Sequence, residues 1–108
     1  MTNAEELATV ACQIIAEVGT ARSCYIEAIH AAEAGDYDQV SALLDEGREA
    51  FNRGHRAHTE LVQREAAGDS VSMTLIMTHA EDQLMSAEQF GILAEEFVSL
   101  YRRVDGKA

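Results

Sequence analysis

Ala34-Gly35-Asp36-Tyr37 and Ala67-Gly68-Asp69-Ser70 are the two stretches that decide how this chain folds. Each offers a glycine able to end a helix, followed by an Asp or Ser whose side chain can cap the next one. Elsewhere little opposes helix: proline is absent and aromatics are 6% of the residues, while Ala, Glu, Leu and Gln, all good helix formers, are abundant. Three helices are expected over about 3–34, 36–67 and 70–104, in a single domain spanning 1–108.

Working outward from the turns, apolar residues recur at three- and four-residue steps in each segment. The first carries Leu7, Val10, Ala11, Ile14, Val18, Ala21, Tyr25, Ile26 and Ile29, with Gly19 as a place for a kink or a close helix crossing. The second repeats Val40, Leu43, Leu44, Gly47, Ala50, Phe51, Gly54, Ala57, His58, Leu61 and Val62, and its glycines would let a neighbour approach closely. The third carries Leu75, Ile76, Phe90, Leu93, Phe97, Leu100 and Tyr101. Short connections make consecutive helices antiparallel, so the fold class is all-α, a three-helix up-down-up bundle. Apolar positions off the main stripes, such as Val10 with Ile15 and Met77 with Leu84, predict further faces buried against other subunits, hence a homo-oligomer.

Nineteen acidic against eight basic residues give a net charge of -11, which repels nucleic-acid phosphates and anionic lipid headgroups and favours a basic or apolar protein partner. No apolar run approaches the roughly 20 residues that span a bilayer, and the acidic start lacks the basic region of a signal peptide, so a cytoplasmic protein without membrane insertion is expected. Cys12 and Cys24 fall on one helix about 18 Å apart, too far to bridge, and read as small buried apolar residues. Glu27-Ala28-Ile29-His30 has the Glu-x-x-His spacing of di-iron bundles, but no second copy accompanies it. His55 reads as a structural or surface residue.

In Met77-Thr78-His79-Ala80-Glu81-Asp82-Gln83-Leu84-Met85 polar residues interrupt the apolar stripe. Positions 75, 79, 82, 86, 90, 93 and 97 share one helical face, so His79 and Asp82 are expected to point together into the bundle or a subunit interface. Desolvating either is costly without a partner. Two readings of that interruption stand: a satisfied interface histidine with its carboxylate, or a histidine held for nucleophilic work or metal ligation.

His-Ala-x-Asp-x-Leu-Met at 79 to 85 resembles the active-site motif of the lactose/cellobiose-type enzyme IIA of the bacterial phosphoenolpyruvate-dependent sugar phosphotransferase system. Gly19-x-Ala21-Arg22-Ser23, Glu27-Ala28 with Ala31-Ala32 and Gly35-Asp36, His55 with Thr59, and Glu65-Ala66-x-Gly68 agree with the same family in the same order, so the resemblance spans essentially the whole chain. It implies a homotrimer of nine helices. It also implies that His79 accepts a phosphoryl group from the phosphocarrier protein HPr and passes it to a cysteine of the cognate enzyme IIB, for uptake of a β-linked disaccharide chosen mainly by the membrane component. Asp82 matches the aspartate that, from three subunits, meets one metal ion on the trimer axis. Oxygen ligands suit a hard divalent cation such as Mg2+.

Gln83, and His58 from an adjacent helix, are candidate hydrogen-bond donors to the phosphate. The chain departs from the family's common His-Ala-Gln-Asp-His in having Glu81 and Gln83, and His58 stands where a Gln is common. A carboxylate at 81 would oppose a bound phosphate if it faced the site. Arg22 and Ser23 are assigned neither a packing nor a catalytic role. Two other readings make different predictions: a catalytically silent trimeric scaffold or regulatory module takes up no phosphate, and a plain metal-binding bundle loses metal affinity with His79→Ala.

Overall fold

Each helix starts on a side-chain cap that satisfies a backbone N–H left without an intrahelical partner. Asn3 accepts from the Glu6 N–H at 2.7 Å, Asp36 from Gln39 at 3.3 Å and Thr74 from Met77 at 3.2 Å. The computed structural model describes residues 3–106, which form α1 (Ala4–Glu33), α2 (Tyr37–Ala66) and α3 (Leu75–Val104). The first two helices end on Gly35 and Gly68, whose φ of 80° and 98° suits a residue without a Cβ. Behind them Asp36 N–H donates to Ala31 O and Asp69 N–H to Arg64 O, both at 2.9 Å, closing the exposed carbonyls. Helices of this length are about 45 Å long, so within a molecule of 55 × 20 × 19 Å they must run along the long axis, up-down-up.

The third helix begins later than the sequence implied. Neither Asp69 nor Ser70 caps it; residues 70–74 are non-helical, Val71 packs against the core, and Thr74 is the cap. The hydrophobic contact of Val71 holds the chain across the end of the bundle before the helix can start.

α1 is the central helix: Leu7, Ala11, Ile14, Val18, Ala21, Cys24, Tyr25, Ala28 and Ala32 are all buried along it. Both other helices lean mainly on α1 and touch each other far less. Gly47 of α2 admits the Tyr25 ring and Gly54 admits Val18, the close approach expected of residues this small. At Gly19 no close crossing occurs, since no neighbouring atom lies within 4 Å of where a Cβ would be, and α1 is unbroken. Cys24 is buried, whereas Cys12, expected inside, is exposed.

The inward face of α3 differs from the stripe read as its core. Met77, Ala80, Leu84, Ala87, Ala94 and Val98 face α1 and α2, so Met77 and Leu84 are buried within the protomer rather than against other subunits. The larger residues lie outside: Leu75 is 89% exposed, Leu93 55%, Phe97 45% and Leu100 55%. Around Gly91 the inner face is built of small residues, Ala87 and Ala94, because Tyr25 stands against α3 there and an added Cβ at 91 would come within 2.9 Å of the ring.

Candidate functional site

α3 turns 100° per residue, so once Met77, Ala80 and Leu84 point inward, His79, Asp82 and Ser86 must share the outer face. All three are exposed there, beside Leu75 and Leu93. The placement settles which side of α3 carries the polar interruption: His79 and Asp82 are outside the protomer's own core. A helical Cα–Cβ bond tilts toward the N-terminus, which aims the His79 ring back at the start of α3. The first turn there holds no acidic residue, unlike the first turns of α1 with Glu5 and Glu6 and of α2 with Asp38. Unneutralised N-terminal peptide dipoles favour negative charge by about 0.3–1 kcal/mol.

The two flanks of α3 are held differently. Toward α1, Arg22 Nη1 donates to Gln83 Oε1 at 2.7 Å, in a half-buried contact between helices far apart in sequence. Toward α2, His58 Nε2 lies 2.6 Å from Glu81 Oε1. Glu81 follows His79 by about 200° around the helix, so its carboxylate is directed to α2 and away from the imidazole. Within one chain, then, Gln83 accompanies His79 while His58 sits on the opposite flank, and a contact from His58 to a group on His79 has to come from another copy. Arg22 is the site-adjacent residue whose part sequence reading left unassigned. Its signal was an arginine beside the buried Ala21 and Cys24 of α1, a position where a guanidinium must reach across to a neighbouring helix.

Other candidates lie apart. His30 and Glu27 are exposed, His55 is exposed with its ring 5.8 Å from that of Phe51, and the described residues contain no group of three His, Cys, Asp or Glu placed to hold a metal ion. Asp82 therefore contributes a single carboxylate per chain, and a site built on it requires several copies. A cavity of about 550 Å³ between α2 and α3 is lined by Val40, Leu44, Arg48, Glu95, Val98 and Arg102 among others, and includes none of the motif residues. No helix among the described residues is long and apolar enough to cross a membrane.

Known proteins match the sequence and fold of this chain over nearly its full length. Residues 9–102 match the family described as "PTS system, Lactose/Cellobiose specific IIA subunit". The lichenan-specific phosphotransferase enzyme IIA component of Bacillus subtilis (strain 168) is 39% identical over 100 residues, covering 93% of this chain and 91% of that protein. The crystal structure of the cellobiose-specific enzyme IIA from Bacillus anthracis superposes with a TM-score of 0.90 at 33% identity, over 100% of this chain and 97% of that one. The chitobiose IIA of Escherichia coli, solved in complex with HPr, gives a TM-score of 0.81 at 30% identity over 94% of this chain and 99% of the other.

Proposed function

The chain belongs to the lactose/cellobiose-specific IIA subunit family of the phosphotransferase system, and from that premise we propose that it is a cytoplasmic phosphoryl relay in which His79 takes a phosphoryl group from phosphorylated HPr and delivers it to a cysteine of the cognate enzyme IIB. The transported sugar is a β-linked disaccharide. The observation that carries this reading is the exposure of His79 on the outer face of α3, in a motif matching the family's active histidine. A visiting donor reaches such a ring. The complex of the Escherichia coli chitobiose IIA with HPr supports the choice of donor.

In the first transfer a ring nitrogen of His79 uses its lone pair to form an N–P bond while the bond from phosphorus to the donor atom of HPr breaks, its electron pair staying on HPr. In the second, the cysteine sulfur of enzyme IIB forms an S–P bond and the electron pair returns to the His79 nitrogen. Charge accumulates on the phosphoryl oxygens in both, so what the protein supplies is position and hydrogen-bond donors. Gln83 supplies one from the same chain, and His58 one from a neighbouring copy.

The outer face of α3 also supports a homotrimer, because Leu75, Leu93, Phe97 and Leu100 are too many large apolar side chains to leave in water. In such a trimer Asp82 of each copy would be the residue to hold a divalent cation such as Mg2+, whose charge would offset the repulsion among the carboxylates. Their position on an exposed face fits shared ligation and not a site within one chain.

Incubation with phosphoenolpyruvate, enzyme I and HPr tests the relay. One phosphate per chain is expected, acid-labile and base-stable, and lost with His79→Gln. A chain that gains no mass refutes the reading and leaves the silent scaffold, and one that gains it without the imidazole refutes His79 as the acceptor.

A further inference from the structure

The contact between Arg22 and Gln83 does more than join two helices. A guanidinium carries only N–H donors, so the end of a carboxamide that faces it must be the oxygen. With Gln83 Oε1 accepting from Arg22 Nη1 at 2.7 Å, the amide cannot flip without setting donor against donor. Its NH2 is left as the end available to a ligand. Gln83 follows His79 by one turn, the i,i+4 relation that brings Cβ atoms to about 5–6 Å, and helical side chains lean toward the N-terminus, here toward His79.

We propose that Arg22 is a positioning residue for phosphoryl transfer: it fixes the Gln83 carboxamide with its NH2 toward the phosphoryl group carried by His79. The proposal rests on the relay reading of His79. As the N–P bond forms and the bond to the donor atom of HPr breaks, the phosphoryl oxygens carry the charge. A carboxamide locked in this sense offers them hydrogens, whereas the reversed amide would present an oxygen and repel them. Locking it in advance removes the cost of turning a long side chain at the moment of transfer. Arg22 itself stays half-buried, with its Nη1 spent on the Gln83 oxygen, and acts through that amide.

Single-turnover phosphate uptake from phosphorylated HPr, by rapid quench on the full chain, tests this. Arg22→Met is expected to slow transfer about tenfold, the worth of one well-placed hydrogen bond, with the HPr concentration for half-maximal rate little changed. Arg22→Lys, which still donates to the amide oxygen, recovers part of the rate. In a Gln83→Met background Arg22→Met has no further effect, because the group it positions is gone. Gln83→Glu keeps the Arg22 partner and the fold but loses the rate, having no N–H to offer. In nitrogen-proton NMR the Gln83 side-chain NH2 pair shifts on phosphorylation in the wild type and not in Arg22→Met, a signature a purely structural arginine would not produce. Should Arg22→Met fail to fold, the same cycle is run with Arg22→Lys. A wild-type rate in Arg22→Met, or losses that multiply in the double variant, overturns the positioning role alone. A wild-type chain that takes no phosphate, or a phosphorylated His79→Gln, overturns the relay and this proposal with it.

Discussion

Gly47→Ala gives the sharpest test of how α3 is set against the rest of the bundle. A Cβ at position 47 would lie 2.7 Å from Tyr25 Cε1 and 2.9 Å from Cδ1, well inside the 3.5–4.0 Å of an ordinary carbon contact. The ring has nowhere to retreat: its other edge stands against Gly91, where a Cβ would be 2.9 Å from Cε2 and 3.0 Å from Cζ, and Tyr25 is 4% exposed. Overpacking of a held side chain costs about 1–3 kcal/mol. Replacing a helical glycine returns up to about 1 kcal/mol, so a net loss of about 0–2 kcal/mol is expected. In a domain of this size each kcal/mol moves Tm by about 4–8 °C. Urea unfolding followed by circular dichroism, at one fixed protein concentration, measures it. Gly19→Ala is the reference: nothing lies within 4 Å of its Cβ, and it should stabilise by about 0.5–1 kcal/mol. With Tyr25→Leu in place, Gly47→Ala should turn neutral or stabilising. If Gly47→Ala stabilises the wild-type chain as much as Gly19→Ala does, the aromatic wedge between α2 and α3 is not what sets their spacing.

Removing the cap with Thr74→Ala should cost about 1 kcal/mol, while Ser70→Ala should be silent in the same unfolding measurement, because Ser70 does not cap α3. Burial holds the Tyr25 phenol above its ordinary pKa, so its contribution is complete below about pH 10 and falls as pH rises toward the folded-state value. Urea unfolding at pH 8 and pH 10.5 should show a loss that Tyr25→Phe reduces. Phe97→Asp places a charge on the exposed apolar face of α3 and, with the proposed trimer assembled through that face, should shift the sedimentation velocity from trimer to monomer with helicity kept.

The two glycine turns and the missing prolines made the helix number legible, and the first two helices, expected over about 3–34 and 36–67, run Ala4–Glu33 and Tyr37–Ala66. The start of α3 was not legible for a chemical reason. Asp69, Ser70, Ser72 and Thr74 all have side chains able to cap, and only the tertiary contact of Val71 selects among them. The orientation of α3 was hidden by the same ambiguity at a larger scale. Two stripes share its helical period, one of large residues and one built on Ala80, Ala87, Gly91 and Ala94. Hydrophobicity favours the first, but close approach to Tyr25 requires the second. That His79 and Asp82 share a face followed from spacing alone. Their neighbours did not, since the Arg22–Gln83 and His58–Glu81 pairs depend on how far α3 is rotated against α1 and α2.

That rotation ties assembly to chemistry. With Ala80, Ala87, Gly91 and Ala94 inward between Met77, Leu84 and Val98, α3 can lie close to α1, and Leu75, Leu93, Phe97 and Leu100 are left outside. Burying a Leu or Phe is worth about 1.5–3 kcal/mol, so Leu75, Leu93, Phe97 and Leu100 together supply a strong drive for copies to associate along the face that also carries His79 and Asp82. Had the large stripe been chosen for the core, the imidazole would have been enclosed with it and unreachable by a second protein. In the proposed trimer the same residues would both drive assembly and frame the histidine, with no surface loop needed to present it. On the proposed trimeric relay, a substitution such as Phe97→Asp, on the same face but further along α3 than His79, should slow delivery to enzyme IIB in proportion to the trimer it removes, even though the proposed nucleophile and Gln83 stay intact.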